Sequence, residues 1–222
     1  MVAVDICNLA LSYLGDTATV ASIDPPEGSA QAQHCARFYP VALKLLLESH
    51  AWNFVTTRAA LAVVVDGYTD QWRFAYALPS DATNVLSVLP QSQYPADYFG
   101  TAIRNYWGWV WPLLWELDSH CDFQIEMMGA QQVILSNSEN AIARYTIATV
   151  QPGIFPALFA DALAWKLAAM LAGPLMKGES GAAESKRCLQ MHTIVLAQAE
   201  ARDANQRNGS TPLVPGSIKA RF

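Results

Sequence analysis

An α+β protein, mainly helical with a β insertion, is expected from this chain of 222 residues, and three features carry that expectation. Apolar residues recur at i, i+3 and i+4 intervals near both ends, over residues 4–14, 29–50, 156–172 and 180–207. Between residues 61 and 149 the spacing changes to alternation and short β-branched runs, as in half-buried strands. Breakers separate these segments: Asp24-Pro25-Pro26-Glu27-Gly28, Asp66-Gly67, Gly173-Pro174 and Asn208-Gly209. The layout is a four-helix layer from the N- and C-terminal parts, with a small strand-rich domain inserted between helices 2 and 3. In residue numbers it reads 1–58 helical, 59–150 strand-rich, 151–208 helical and 209–222 an extended tail.

The first helix places Ile6, Leu9, Ala10 and Tyr13 on one face, and Gly15 sits where a glycine ends a helix in the left-handed conformation. Ser29 is the expected N-cap of the second helix. That helix carries Ala32, Cys35, Ala36, Phe38 or Tyr39, Leu43, Leu46 and Leu47 inward. Pro40 removes a backbone donor inside it, which predicts a bent helix or two abutting ones. The next segment, residues 61–65, is strand-like, with a turn at Asp66-Gly67 and then the alternation Trp72, Phe74, Tyr76. Further strands are expected at 84–89, 123–127, 132–135 and 141–149, with Asn137-Ser138-Glu139-Asn140 as a tight turn. A third helix starts at Pro156 and stops at Gly173-Pro174. The fourth turns Ala183, Cys188, Leu189, Val195, Leu196 and Ala199 inward, with Glu184/Arg187 and Asp203/Arg207 as exposed pairs.

The second helix runs into an aromatic signature, Leu45-Leu46-Leu47-Glu48-Ser49-His50-Ala51-Trp52-Asn53-Phe54, where helical spacing gives way to strand spacing. Upstream lies Ile6-Cys7-Asn8-Leu9-Ala10-Leu11 followed by Leu14-Gly15, and downstream Trp72-Arg73-Phe74-Ala75-Tyr76-Ala77-Leu78-Pro79. The C-terminal part adds Tyr145, the run from Phe155-Pro156 to Leu163-Ala164, then Leu171-Ala172-Gly173-Pro174-Leu175 and Ala201-Arg202-Asp203-Ala204-Asn205. In this order and spacing the chain resembles the tail tubular protein A family, the head-to-tail adaptors of short-tailed phages. The resemblance covers residues 4–205 except 91–121, and Trp52, Phe54, Trp72, Tyr76 and Pro79 are its structural signature. It implies a structural virion protein of the tail or neck, assembled in the host cytoplasm. It also implies a homo-oligomeric ring, commonly of twelve subunits, between the portal protein and a nozzle protein like tail tubular protein B. Genome DNA would pass through the ring without specific binding.

Composition constrains the alternatives. Charged residues make up 15% of the chain and hydrophobic ones 52%, against a usual charged share of about 25%. Either the core is large or partners cover apolar surface, as neighbours in a ring would. A net charge of −5 disfavours a protein that grips phosphates through a basic face, but is compatible with a channel through which DNA slides. Cys7, Cys35, Cys121 and Cys188 lack zinc-site spacing and read as reduced thiols. The N-terminus has no basic stretch followed by an apolar one, so a signal peptide is not expected. Residues 154–176 are long and apolar, yet Asp161 and Lys166 would each cost roughly 2.5–3.5 kcal/mol in a bilayer, so a buried helix and no membrane partner are expected.

Chemistry finds little support. His34/Cys35 and His120/Cys121 are neighbours in sequence, whereas a Cys–His pair must meet in space. No histidine pair has metal-ligand spacing, and no phosphate-loop, dinucleotide or nucleophile-elbow motif occurs. No catalytic residue, metal or cofactor is therefore expected, and the chain is not read as an enzyme. The competing reading is a tail-associated glycan hydrolase using the acidic, Trp-rich stretch 107–126, with Glu116, Asp118, Asp122 and Glu126 as its carboxylates. Four of the seven tryptophans, Trp107, Trp109, Trp111 and Trp115, fall within nine residues, so this stretch is either the core of the insertion or a nozzle or subunit interface. In the tail, Leu213, Val214, Ile218, Lys219, Arg221 and Phe222 are spaced unlike a purely solvated end. They are read as a segment that orders on the portal or on a neighbouring subunit.

Overall fold

The computed structural model describes residues 2–17, 19–90, 121–148 and 150–206. Among them are four helices, α1 (Ala3–Tyr13), α2 (Ala30–Ser49), α3 (Ala157–Met176) and α4 (Gly178–Ala204). Seven strands lie between α2 and α3: β1 (Thr56–Ala60), β2 (Val63–Asp66), β3 (Phe74–Ala77), β4 (Ala82–Pro90), β5 (Phe123–Met128), β6 (Gln131–Ser136) and β7 (Ala141–Ile147). The chain thus mixes helices with antiparallel sheets. It divides into two compact units, one from residues 1–43 with 152–222 and the other from 44–151, so the division falls within α2.

In the helical unit, α1 stops as its sequence dictates. Gly15 takes φ +73°, and the Leu14 and Gly15 N–H groups donate back to Leu11 O and Ser12 O. Asn8 clamps the following loop from both sides: its Nδ2 donates to Val20 O at 3.0 Å, and its Oδ1 accepts from Val20 N at 2.7 Å. Ser29 caps α2, its Oγ accepting from Ala32 N at 3.1 Å. Despite Pro40, α2 is one uninterrupted helix, because the proline lies on its exposed side. Ala32, Cys35, Tyr39, Ala42 and Leu46 form its buried stripe.

α3 is the centre of this unit, packed against α1 and, along its length, against α4. It is long and apolar enough by length and composition to cross a membrane, but Phe159, Leu163, Leu167 and Leu171 are fully buried in the core. The expected stop at Gly173-Pro174 is wrong, since the helix runs on to Met176. The chain breaks instead at Lys177 and Gly178, whose φ values are +53° and +64°. Lys177 N–H donates to Gly173 O at 3.1 Å and closes the helix there.

Three contacts set how closely α4 returns along α3. A Cβ on Gly181 would lie 2.9 Å from Ala172 O, so only glycine fits without moving backbone. Ser185 Oγ donates to Ala169 O at 2.8 Å, and His192 Nδ1 lies 2.9 Å from Ala162 O. The inward stripe of α4 is therefore Gly181, Cys188, His192, Val195, Ala199 and Asp203. Ala183 and Leu189, expected inside, are exposed, and Asp203, expected outside in a pair with Arg207, is buried. Leu189 follows Cys188 directly, about 100° further round the helix, and so lies off this inner line. Arg207 lies outside the described residues.

Burial holds the His192 imidazole below its ordinary pKa, with Lys166 acting in the same direction and Ala162 O and Glu200 opposing. A folded-state pKa below the unfolded value of about 6.5 means the unfolded chain binds the proton more tightly. The neutral ring's contribution is complete above that value and is lost as pH falls from it through the lower folded-state pKa. His192→Asn keeps a donor for Ala162 O without titrating. Between pH 7.5 and 5, wild type is expected to lose more of its urea midpoint than the variant. Parallel losses would remove His192 as the cause.

The strand-rich unit holds two antiparallel sheets, one ordered β1-β7-β4 and the other β2-β3-β6-β5. Phe74, Tyr76 and Ile134 of the second sheet meet Val88, Ala143 and Tyr145 of the first in one buried cluster. A second cluster, Ala75, Val133 and Leu135, occupies the opposite face of the four-stranded sheet, with Tyr68 and Trp72 packed on it. Trp72 is thus not part of an alternation with Phe74 and Tyr76. It sits in the β2–β3 loop, which folds over that face, with Thr69 N donating to Trp72 O at 2.9 Å. The Asp66-Gly67 turn is correspondingly the start of a longer loop, in which Gly67 N (φ +74°) donates to Arg73 O at 2.7 Å. Asn137–Asn140 does turn the chain, with Asn140 at φ +52°, but it makes no hairpin: β6 and β7 belong to different sheets.

Candidate functional site

The signature residues sit where the chain changes direction. Trp52 is 1% exposed and lies between α2 and β1. Its indole Nε1–H donates to Leu46 O at 2.8 Å, which satisfies one of the four carbonyls that the end of α2 leaves without helical partners. Its own carbonyl accepts from Thr56 Oγ1 at 2.7 Å at the start of β1. His50 meets the indole edge-on at 4.8 Å between ring centres, and Phe54 lies at 6.0 Å. One residue, through its indole and its main-chain carbonyl, thus ties the end of a helix to the start of a sheet.

Tyr76 is fully buried, and its hydroxyl donates to Ser138 O at 2.5 Å, so β3 holds the turn that leads out of β6. Pro79 O accepts from Ala82 N at 3.0 Å and closes the β3–β4 turn. Tyr145 OH donates to Asp81 Oδ1 at 3.1 Å and ties the same turn to β7. Burial pushes the Tyr76 and Tyr145 phenols up, so both stay protonated donors. Pro79 also borders an open depression of about 490 Å³, whose opposite wall is the β5–β6 hairpin from Met127 to Gln132. Among the described residues no ionisable side chain lines it.

In the helical unit, Tyr13 stacks on Trp165 with ring centres 3.8 Å apart and planes 10° from parallel. Its hydroxyl donates to Asp161, so the apparent membrane-breaking charge of α3 has a specific partner. Arg187 donates to Tyr13 O at 2.9 Å and to Glu184, and its guanidinium lies 5.7 Å from the Trp165 ring centre. Pairing with Glu184 raises the Arg187 pKa, and pairing with Arg187 lowers that of Glu184. A cation at the C-terminal end of α1 also suits the helix dipole. The cluster joins three helices, and every polar group named in it has a protein partner.

Cys7 on α1 and Cys35 on α2 are buried free thiols. Their interaction and burial push the Cys7 thiol up, while Cys7 draws the Cys35 thiol down against the opposing effect of burial. His34 stacks on Phe38 with ring centres 6.1 Å apart. Among the described residues no three His, Cys, Asp or Glu side chains are placed to hold a metal ion. Asp122 is exposed just before β5, and Glu126 lies half-buried on β5. Glu116, Asp118 and His120 lie outside the described residues, as do Trp107, Trp109, Trp111 and Trp115 and the tail residues Leu213, Val214, Ile218, Lys219, Arg221 and Phe222.

What pattern reading missed are the margins of the four-stranded sheet. Val63 and Val64 on β2, and Ile125 and Met127 on β5, are exposed. The only signal was the apolar content of these short segments, which reads equally as core. Compared with protein-family models and with curated proteins, the chain matches none.

Proposed function

We propose that this protein is a structural virion component, the head-to-tail adaptor of a short-tailed phage. One observation carries the reading: the ordered motifs from Ile6-Cys7-Asn8 to Ala201-Arg202-Asp203 resemble the tail tubular protein A family over most of the chain. Their residues hold the frame, as Asn8, Trp52, Tyr76, Pro79 and Asp161 do through the hydrogen bonds described above. In this reading the four helices form one layer of a ring subunit, and the strand-rich part faces the nozzle. The tail docks on the portal or a neighbouring subunit. Exposed Val41, Leu45 and Ile194 are apolar surface that ring neighbours would cover. The activity is geometric: no side chain performs chemistry and no cofactor takes part. DNA slides past an overall acidic protein that lacks the charge to hold phosphates.

The test is electron microscopy of the purified protein mixed with the portal ring of the same phage. An added annular layer is expected on one end of the portal. A bare portal beside correctly folded free protein rejects the reading.

A further inference from the structure

We infer that neighbouring subunits join through the two margins of the four-stranded sheet, β5 of one copy lying against β2 of the next. This inference rests on the ring reading above.

The sheet order β2-β3-β6-β5 places these two strands at opposite margins. Just ahead of β5, Cys121 bridges to Val88 of β4, its N–H donating to Val88 O at 2.9 Å. Along β5 itself and along β2, no strand pairs with the outer side among the described residues. All its pairings are antiparallel, so strand direction alternates across it. An even number of alternating strands leaves β2 and β5 running in opposite directions. Copies related by a ring's rotation keep the same sense around the ring. Placing β5 beside the next copy's β2 therefore brings oppositely directed strands together, and the pairing continues as an antiparallel sheet. An odd-stranded sheet would have met its neighbour in parallel.

The side chains at the two margins match. Residues directly opposite each other in a sheet share a face. Val63 lies opposite Tyr76, Ile125 opposite Ile134 and Met127 opposite Gln132. All three therefore belong to the face that buries Tyr76 and Ile134 between the sheets. In the middle of the sheet that face is covered; at its margins Val63 is 50% exposed, Ile125 42% and Met127 60%. The join sets Val63 of one copy beside Ile125 and Met127 of the next and continues the apolar row from subunit to subunit. Neither strand carries the Pro or Lys that blunts a free margin. A bulge at Val64 shortens the regular part of β2, so a few ladder bonds and the apolar row make the contact. A join this small needs subunits concentrated on a template, which the portal supplies.

The test uses the full chain in a Cys121→Ala background, the other three cysteines being buried. Val63→Cys and Met127→Cys are introduced singly and together, and folding is checked by circular dichroism. Each protein is mixed with the portal ring and treated with a short bismaleimide. The double variant is expected to give a ladder of covalent multimers, and a mixture of the two single variants is expected to stop at dimers. Dimers from either single variant alone would show two-fold pairing and overturn the inference. Monomers alone, while microscopy shows the annular layer, would overturn the inference and leave the adaptor reading standing. A ladder beside a bare portal would do the reverse.

Discussion

Trp52→Ala is expected to remove about 3–5 kcal/mol of stability, the range for truncating a fully buried aromatic residue. Domains of this kind are stable by only about 5–15 kcal/mol, so the variant should be marginal at 37 °C. Two losses combine. A cavity opens where the 1%-exposed indole stood. Leu46 O also loses its indole donor, while Ser49 Oγ still reaches it at 2.9 Å. Trp52→Phe separates the two effects, because it keeps most of the packing and drops the donor. One hydrogen bond contributes about 0.5–1.5 kcal/mol net, so the Phe variant should lose well under half as much as the Ala variant. Urea midpoints of the two variants check this. Equal losses would mean that the hydrogen bond, not the volume, holds the corner.

Gly181→Leu is expected to cost about 3 kcal/mol, at the upper end of the usual range for overpacking. The first added carbon would lie 2.9 Å from Ala172 O, a main-chain atom that cannot rotate aside. Gly181→Ala is the sharper test because two effects oppose. Alanine favours a helix over glycine by about 1 kcal/mol, and overpacking opposes with about 1–3 kcal/mol. With backbone as the obstacle the clash prevails, and a net loss of about 1 kcal/mol is expected. A thermal melt showing Gly181→Ala more stable than wild type would mean that α3 and α4 have room to part.

Much of the helical frame was legible because its signals are local. Gly15 stops α1 and Ser29 caps α2 through chemistry confined to a few neighbouring residues. Apart from the helix stop moved from Gly173-Pro174 to Lys177-Gly178, which is local, the misreadings share a physical cause: the deciding partner lies far along the chain. β1, with the sequence Thr-Thr-Arg-Ala-Ala, has no strand-like alternation, and its pairing with β7 defines it. Trp72 obeyed the two-residue spacing in sequence, but the loop carrying it crosses to the other face of the sheet. On α4, Leu189 reads as core by composition, yet α3 meets the face that carries Gly181, Cys188 and His192. The exposed margins at Val63 and Ile125/Met127 were invisible for the same reason, since a strand's place in its sheet is set by the other strands.

The central position of β7 also sets a timetable. β1 and β4 both pair with β7, so residues 56–60 and 82–90 have no sheet until residue 147 is present. α1 waits longer, since the helix it packs against spans residues 157–176. Many of the contacts that define the sheets and seat α1 are therefore remote in sequence, which slows folding. During synthesis the strand-rich unit can close first, while α1 lacks its main packing partner until α3 leaves the ribosome. The first helix to be made is thus among the last to be fully seated, and part of its apolar face waits uncovered through most of translation.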